Sequence, residues 1–144
     1  MANQPLIIYT DGGSRGNPGP AGIGAVLSKD GQTVLALSEY LGVTTNNVAE
    51  YTALVMALEK GLELGYRDVE VRMDSELIVR QMNGQYRVKN ERLIPLFNKA
   101  RQLASRYSGF QITHVRRELN KEADRLANQA MDGARDASQA NSGP

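Results

Sequence analysis

Apolar residues in the first forty positions come in short blocks, separated by Gly, Pro and Asp-Gly. Leu6–Tyr9 is an apolar run that reads as a buried strand ending at Asp11. The segment from Gly12 to Gly22 is dense in Gly and Pro and reads as a turn or loop. Gly24–Ser28 and Thr33–Leu41 then read as strands joined at Asp30-Gly31, a dipeptide suited to a two-residue hairpin turn. Together these blocks predict a three-stranded antiparallel meander.

The period then changes from strand to helix. Val48, Tyr51, Val55, Leu58 and Leu62 recur at spacings of 3, 4, 3 and 4, which is one face of a helix. Ala53, Ala57 and Gly61 would let that helix lie close to a sheet, and Gly65 is placed to end it. Val69–Met73 alternates as a short strand, and Asp74-Ser75 is positioned to cap a helix running to about Met82 and stopping near Gly84. Leu93, Leu96, Phe97, Ala100, Leu103, Ala104 and Tyr107 make a long apolar stripe with Lys99, Arg101, Gln102 and Arg106 opposite it. Pro95 has no N–H to donate, so that helix should begin close to it. Phe110–Val115 reads as a last strand, and Asn120 as the cap of a final helix bearing Ala123, Leu126, Ala127 and Ala130. From Gly133 onward no core-forming residue remains, which predicts a domain over 1–132 and a disordered tail over 133–144. The order of elements predicts an α/β fold with a mixed sheet flanked by helices.

Composition narrows the classes of function. The 144 residues, 41% hydrophobic and 23% charged, suit one domain with its own core. No apolar run approaches the roughly 18 residues of a membrane span, and MANQPLIIYT lacks the basic-then-apolar build of a secretory leader. The expected location is cytoplasmic, with no membrane contact. The absence of cysteine excludes disulfides, thiolate catalysis and cysteine-ligated zinc. The net charge of +1 conceals an asymmetry: residues 1–79 sum to −5 and residues 80–125 to +7. An acidic half followed by a basic stretch suits a polyanionic substrate. Lopsided charged helices give the same asymmetry without any function, so the weight falls on particular acids.

Those acids are Asp11, Glu50, Asp74 and Asp124. Singly, each has an ordinary explanation. Asp11 suits an Asx-turn before Gly12-Gly13, Glu50 a solvated helix position, Asp74 a helix cap, and Asp124 a favourable charge near a helix N-terminus. In combination their placement matters more. Asp11 and Asp74 both end predicted strands, and neighbouring strand ends lie about 5 Å apart. Glu50 flanks the buried face of its helix, and Asp124 falls in the first turn after the last strand. Four converging carboxylates repel one another and stay ionised only beside cations. Oxygen ligands without His or Cys suit Mg²⁺ or Mn²⁺ rather than zinc, and a pair of such ions about 3.5–4 Å apart serves phosphoryl displacement.

The segments YTDGGSRGNPGPAGIG, TTNNVAEYTAL, MDSELIV and NKEADRLAN, in this order, resemble the four signature blocks of type 1 ribonucleases H, over about Leu6 to Met131. The resemblance implies a ribonuclease H-like fold, with a five-stranded mixed sheet (three antiparallel strands and two further ones) and helices on both faces. It implies an endoribonuclease cutting the RNA strand of RNA–DNA hybrids and leaving 3′-hydroxyl and 5′-phosphate ends. Asp11, Glu50, Asp74 and Asp124 would be the catalytic, metal-binding acids, holding two Mg²⁺ ions, or Mn²⁺ in their place, with substrate bound. The hybrid-contacting positions would be Gly12, Gly13, Ser14, Arg15, Gly16 and Asn17, with Thr45, Asn46 and Asn47. Glycines there let backbone approach a sugar-phosphate chain closely, and asparagines both donate and accept, as a 2′-hydroxyl or minor-groove edge requires.

The chain departs from the family pattern in three places. Many relatives carry a loop histidine before the last acid, whereas His114, the only histidine here, falls within the predicted strand QITHV and reads as structural or surface. Arg117 or Glu118 is the candidate for part of that loop's role. Some relatives also insert a Trp- and Lys-rich handle helix, but this chain has no Trp. Arg87, Lys89, Lys99, Arg101 and Arg106 are expected to provide a distributed hold on DNA-strand phosphates instead. Glu76, among the candidate nucleic-acid contacts, stands where relatives often have a neutral amide. The first strand begins almost at once, so no N-terminal hybrid-binding domain is expected, and the chain is expected to act as a monomer. Two other functions stay open on sequence grounds: a same-fold nuclease for double-stranded RNA or DNA, and a non-catalytic nucleic-acid-binding module.

Overall fold

The computed structural model describes residues 4–141. A five-stranded sheet is built from β1 (Leu6–Ser14), β2 (Gly19–Lys29), β3 (Gln32–Thr44), β4 (Asp68–Met73) and β5 (Gly109–His114), in the spatial order β3-β2-β1-β4-β5. β1, β2 and β3 form the antiparallel meander, and β4 and β5 extend it in parallel. Asp30 and Gly31 turn the β2–β3 hairpin with φ of 53° and 79°, the left-handed pair that a tight hairpin demands.

The Gly-rich segment corrects the first expectation, because most of it is strand. β1 continues through Gly12 and Gly13 to Ser14, paired with Ala21 of β2, so only residues 15–18 form a connection. Glycine here allows close packing rather than turning. A Cβ on Gly12 would strike the Ala49 carbonyl of α1 (Asn46–Glu63), and one on Gly24 would strike the Ala123 carbonyl of α4 (Lys121–Asn141). Asp11 therefore lies inside β1. What ends beside it is β4, whose pairing with β1 finishes at Thr10↔Met73 and leaves Asp11 and Asp74 at the next step of the register.

Helices form where the periodicity predicts. Thr45 caps α1, its hydroxyl oxygen accepting from the Val48 N–H at 3.2 Å, and Gly65 follows the helix with φ 93°. Ser75 caps α2 (Glu76–Met82), and Pro95 lies in the first turn of α3 (Ile94–Ser105). A single 3₁₀ turn, Arg117–Leu119, leads into α4. Two expectations about α4 are corrected. Its backbone stays helical through Asn141, past the predicted start of a tail at Gly133, while residues 142–144 lie outside the described part. Alanines at 134, 137 and 140 favour helix, and one interior glycine costs only about 1 kcal/mol. Nor does the Asn120 side chain cap the helix: its Nδ2 donates to the Thr10 carbonyl at 2.9 Å.

Side chains alternate across a strand, so Leu6, Ile8 and Thr10 face α1 and Asp11 faces α4. The main core lies between the sheet and α1, where Leu6, Ile8, Tyr51, Leu54, Leu58 and Val71 are fully buried. The Tyr51 hydroxyl donates to Gln81 Oε1 at 2.5 Å, and Phe97 of α3 meets the Tyr51 ring edge-on. α4 covers the opposite face over Gly22 and Gly24. Among the described residues no helix is long and apolar enough to cross a membrane.

Candidate active site

One cavity of about 360 Å³ is lined by Asp11, Glu50, Asp74 and Asp124 together, one each from β1, α1, the end of β4 and α4. Glycines 12 and 13, Ser14 and Asn46 form one wall, and Ala127, Asn128 and Met131 of α4 form another. Arg15 and Arg117 are the two cations of the lining.

The acids crowd one another. Asp11 is pushed up to about 8, chiefly by burial, then by the negative charge of Asp74, by a hydrogen bond shared with Asp124 and by that residue's charge; the Gly12 N–H opposes the rise. Glu50 is pushed up to about 7 by burial and by Asp74, against a hydrogen bond from Ser75 that pulls it down. Near neutral pH these two carboxyls hold protons that an isolated carboxylate would have lost.

The four acids line one cavity, and Asp11 lies within hydrogen-bonding reach of Asp124. Among the described residues no three acids or histidines are arranged closely enough to hold a metal ion. The donor set still fits a hard divalent cation, because it is all oxygen and its crowding is of the kind that positive charge relieves. Asp11, Glu50, Asp74 and Asp124 are the residues that would hold it.

A family model described as reverse transcriptase-like matches residues 9–130. The ribonuclease HI of Halobacterium salinarum is 45% identical over 127 residues, covering 88% of this chain and 64% of that protein. A crystal structure of RNase H1 from that organism superposes with a TM-score of 0.87 at 42% identity, covering 90% of this chain and 99% of that one. The chain belongs to the ribonuclease HI family. It is also similar to LC11-RNase H1, solved in complex with an RNA/DNA hybrid, with a TM-score of 0.85 at 50% identity over 90% of this chain and 98% of that one. A Mycobacterium tuberculosis protein described as bifunctional is 47% identical over 141 residues. The chain spans only 39% of that relative's length.

The other positions that the ribonuclease HI resemblance singles out divide between two cavities and the open surface. Gly12, Gly13, Ser14, Arg15 and Asn46 join the acids. Asn17, Thr45 and Asn47 line a second cavity of about 390 Å³ with Asn90, Arg92 and Leu93. Gly16, with φ 91°, turns the connection between β1 and β2 and lines neither cavity. Glu76 lines neither, and pairs with Arg80 at 2.9 Å. Arg117 reaches the acid cavity, whereas the exposed Glu118 lies 3.8 Å from Arg116. His114 ends β5 exposed, as a surface position should. Of the basic residues expected to hold phosphate, Arg101 is engaged elsewhere, donating to the Met82 carbonyl at 2.9 Å and stacking on Phe97.

Several residues in or beside these two cavities escaped the sequence reading. Ser75 supports Glu50, and Arg92 opens onto the second cavity. Asn128 and Asp132 hold Arg15, at 3.4 Å and 2.6 Å. The last two had a legible signal: they fall four and eight residues after Asp124, on one face of a helix.

Proposed function

We propose that the chain is a ribonuclease H that hydrolyses the RNA strand of RNA–DNA hybrids, leaving 3′-hydroxyl and 5′-phosphate ends. The observation that carries this reading is the meeting of four carboxylates from four separate elements in one cavity, beside the Gly12–Arg15 and Asn46 wall. Hybrid binding is the recorded state of the similar LC11-RNase H1, which supports the same substrate here.

Two divalent cations, Mg²⁺ or Mn²⁺, held by Asp11, Glu50, Asp74 and Asp124, would supply charge neutralisation at the phosphate and activation of water. The protein's own groups do the rest. Ser14, Arg15 and Asn46 border the acids and orient the sugar-phosphate chain over them. Asn17, Thr45 and Asn47 engage the neighbouring strand through the second cavity, where Arg92 adds a positive charge. Arg117 offsets phosphate charge next to the carboxylates and takes part in product release, a role that Glu118, turned toward Arg116, does not share. The attacking water bonds to phosphorus as the P–O3′ bond breaks; the water gives up a proton to solvent, and the departing O3′ takes one from solvent to become the 3′-hydroxyl.

The test is cleavage of end-labelled duplexes with millimolar Mg²⁺ or Mn²⁺. The expected result is cutting of the RNA strand of a hybrid only, abolished by Asp11→Asn with hybrid binding retained. Cutting of double-stranded RNA or DNA in preference would replace this reading with the broader same-fold nuclease. Binding without any cutting would replace it with a non-catalytic module.

A further inference from the structure

We propose that Asn120 is a positioning residue, which sets the spacing between Asp11 and Asp124 by tying β1 to the start of α4. The inference rests on the hydrolytic reading of the site.

Asn120 is 1% exposed and precedes α4. Its Nδ2 donates to the Thr10 carbonyl at 2.9 Å, across 110 residues of chain. Thr10 immediately precedes Asp11 and is the last residue of β1 paired with β4, so this bond grips the strand where its ladder on that side runs out. The other end of Asn120 acts on the helix. Its backbone carbonyl accepts the Asp124 N–H at 3.1 Å, which closes the first turn of α4 and fixes where Asp124 stands. One residue is thus bonded to the peptide unit leading into one acid and to the backbone of another.

A purely structural residue would have simpler solutions at this position. Asn, Asp and Ser before a helix usually turn their side chains to its free N–H groups. Asn120 does not, and its Oδ1 is buried with no hydrogen-bond partner among the described residues. A buried acceptor left unpaired is unfavourable, and an apolar side chain would avoid that penalty. The polar side chain is accounted for by the bond to Thr10, whose consequence is geometric: β1 and α4 cannot slide past each other without breaking it. Loss of reacting geometry by about 1 Å costs on the order of a hundredfold in rate, so such a tie bears on turnover more than on substrate affinity.

The experiment compares Asn120→Asp, which keeps the shape but removes the donor at neutral pH, with Asn120→Ala. Thr10→Val serves as control, since the Thr10 hydroxyl is buried without a partner and the carbonyl is retained. Hybrid cleavage in Mg²⁺ is read as kcat and KM separately, and crystal structures give the Asp11–Asp124 separation. In both Asn120 variants kcat should fall at least about tenfold with KM within about twofold, the signature of an interaction that matters in the transition state. The carboxylates of Asp11 and Asp124 should move apart or rotate, while Thr10→Val stays near wild type. Unchanged kcat, proportional loss in Thr10→Val, or an unaltered acid pair would overturn the proposal. Failure of both Asn120 variants to fold would also overturn it, by assigning the residue to stability. A wild-type protein that cuts no hybrid would instead sink the hydrolytic reading, with the crystallographic comparison still deciding whether Asn120 spaces the acids.

Discussion

Asn46 Oδ1 accepts hydrogen bonds from both the backbone N–H of Ser14, at 2.7 Å, and its hydroxyl, at 3.2 Å. A residue at the start of α1 thereby locks the last residue of β1, and Asn17 Oδ1 returns the bond by accepting the Asn46 N–H at 3.2 Å. Two sequence blocks some thirty residues apart become one rigid surface beside the acids.

Breaking that lock should weaken substrate binding. For Asn46→Ala, the hybrid Kd should rise about tenfold, close to 1.4 kcal/mol, with a lowered Tm. Asn46→Asp keeps the acceptor, so it should preserve Tm yet bind less well, because it adds negative charge facing phosphate. Fluorescence anisotropy with calorimetry would separate the two; equal Kd across all three proteins would remove Asn46 from the interface.

The crowded acids make stability depend on pH. Asp11 and Glu50 are raised in the folded state, to about 8 and about 7. Between an unfolded value near 4 and these folded values the native state binds more protons than the unfolded one, so stability must fall as pH rises. Below about pH 4 the contribution is fully present, and by about pH 8 it is lost. Metal-free protein should show Tm declining from pH 5 to 8, with Asp11→Asn flattening the decline. A wild-type Tm that rises over this range would show that the carboxyls are not crowded.

Divalent cations should reverse that decline. At metal concentrations about a hundredfold above Kd, stabilisation approaches ~2.7 kcal/mol. The Tm gain should be larger at pH 8 than at pH 5, where protons compete, and smaller in Asp74→Asn. Thermal melts in millimolar Mg²⁺ that show no gain at either pH would argue against cation binding by these acids.

Arg117 and Glu118 should behave differently although they are adjacent. Arg117 lines the acid cavity, and Glu118 is 69% exposed beside Arg116. Arg117→Ala should lower turnover at least about tenfold, a loss of some 1.4 kcal/mol in transition-state stabilisation. Glu118→Ala should stay within about twofold. Steady-state kinetics showing the reverse order would exchange their roles.

Hybrid affinity should fall steeply with salt, since binding releases counterions from the phosphates that the protein neutralises. Replacing Arg92, Arg87 or Lys89 by Ala should each reduce the slope of log K against log salt by about 1 if that residue contacts phosphate. Arg101→Ala should leave the slope unchanged, because its guanidinium is committed to the Met82 carbonyl. A wild-type affinity indifferent to salt would exclude a phosphate-led interface.

Local chemistry determined the elements of this protein. The step of 3 and 4 from Val48 to Leu62, the alternation of Val69–Met73 and the Asp30-Gly31 turn depend on neighbours along the chain, and all three can be read from residue order alone. The four acids were legible for the same reason, since each sits in a short distinctive context. The tertiary structure decided what depends on distant partners. Gly12 and Gly22 read as loop residues until α1 and α4 are seen pressed against them. Asn120 reads as a cap until the Thr10 carbonyl, 110 residues away, claims its side chain. Arg117 and Glu118 are equivalent in one dimension and separate only when the 3₁₀ turn sends one toward the cavity and leaves the other beside Arg116. Backbone periodicity is set by bonds within a few residues, whereas side-chain direction and close approach are set by whatever the fold brings opposite.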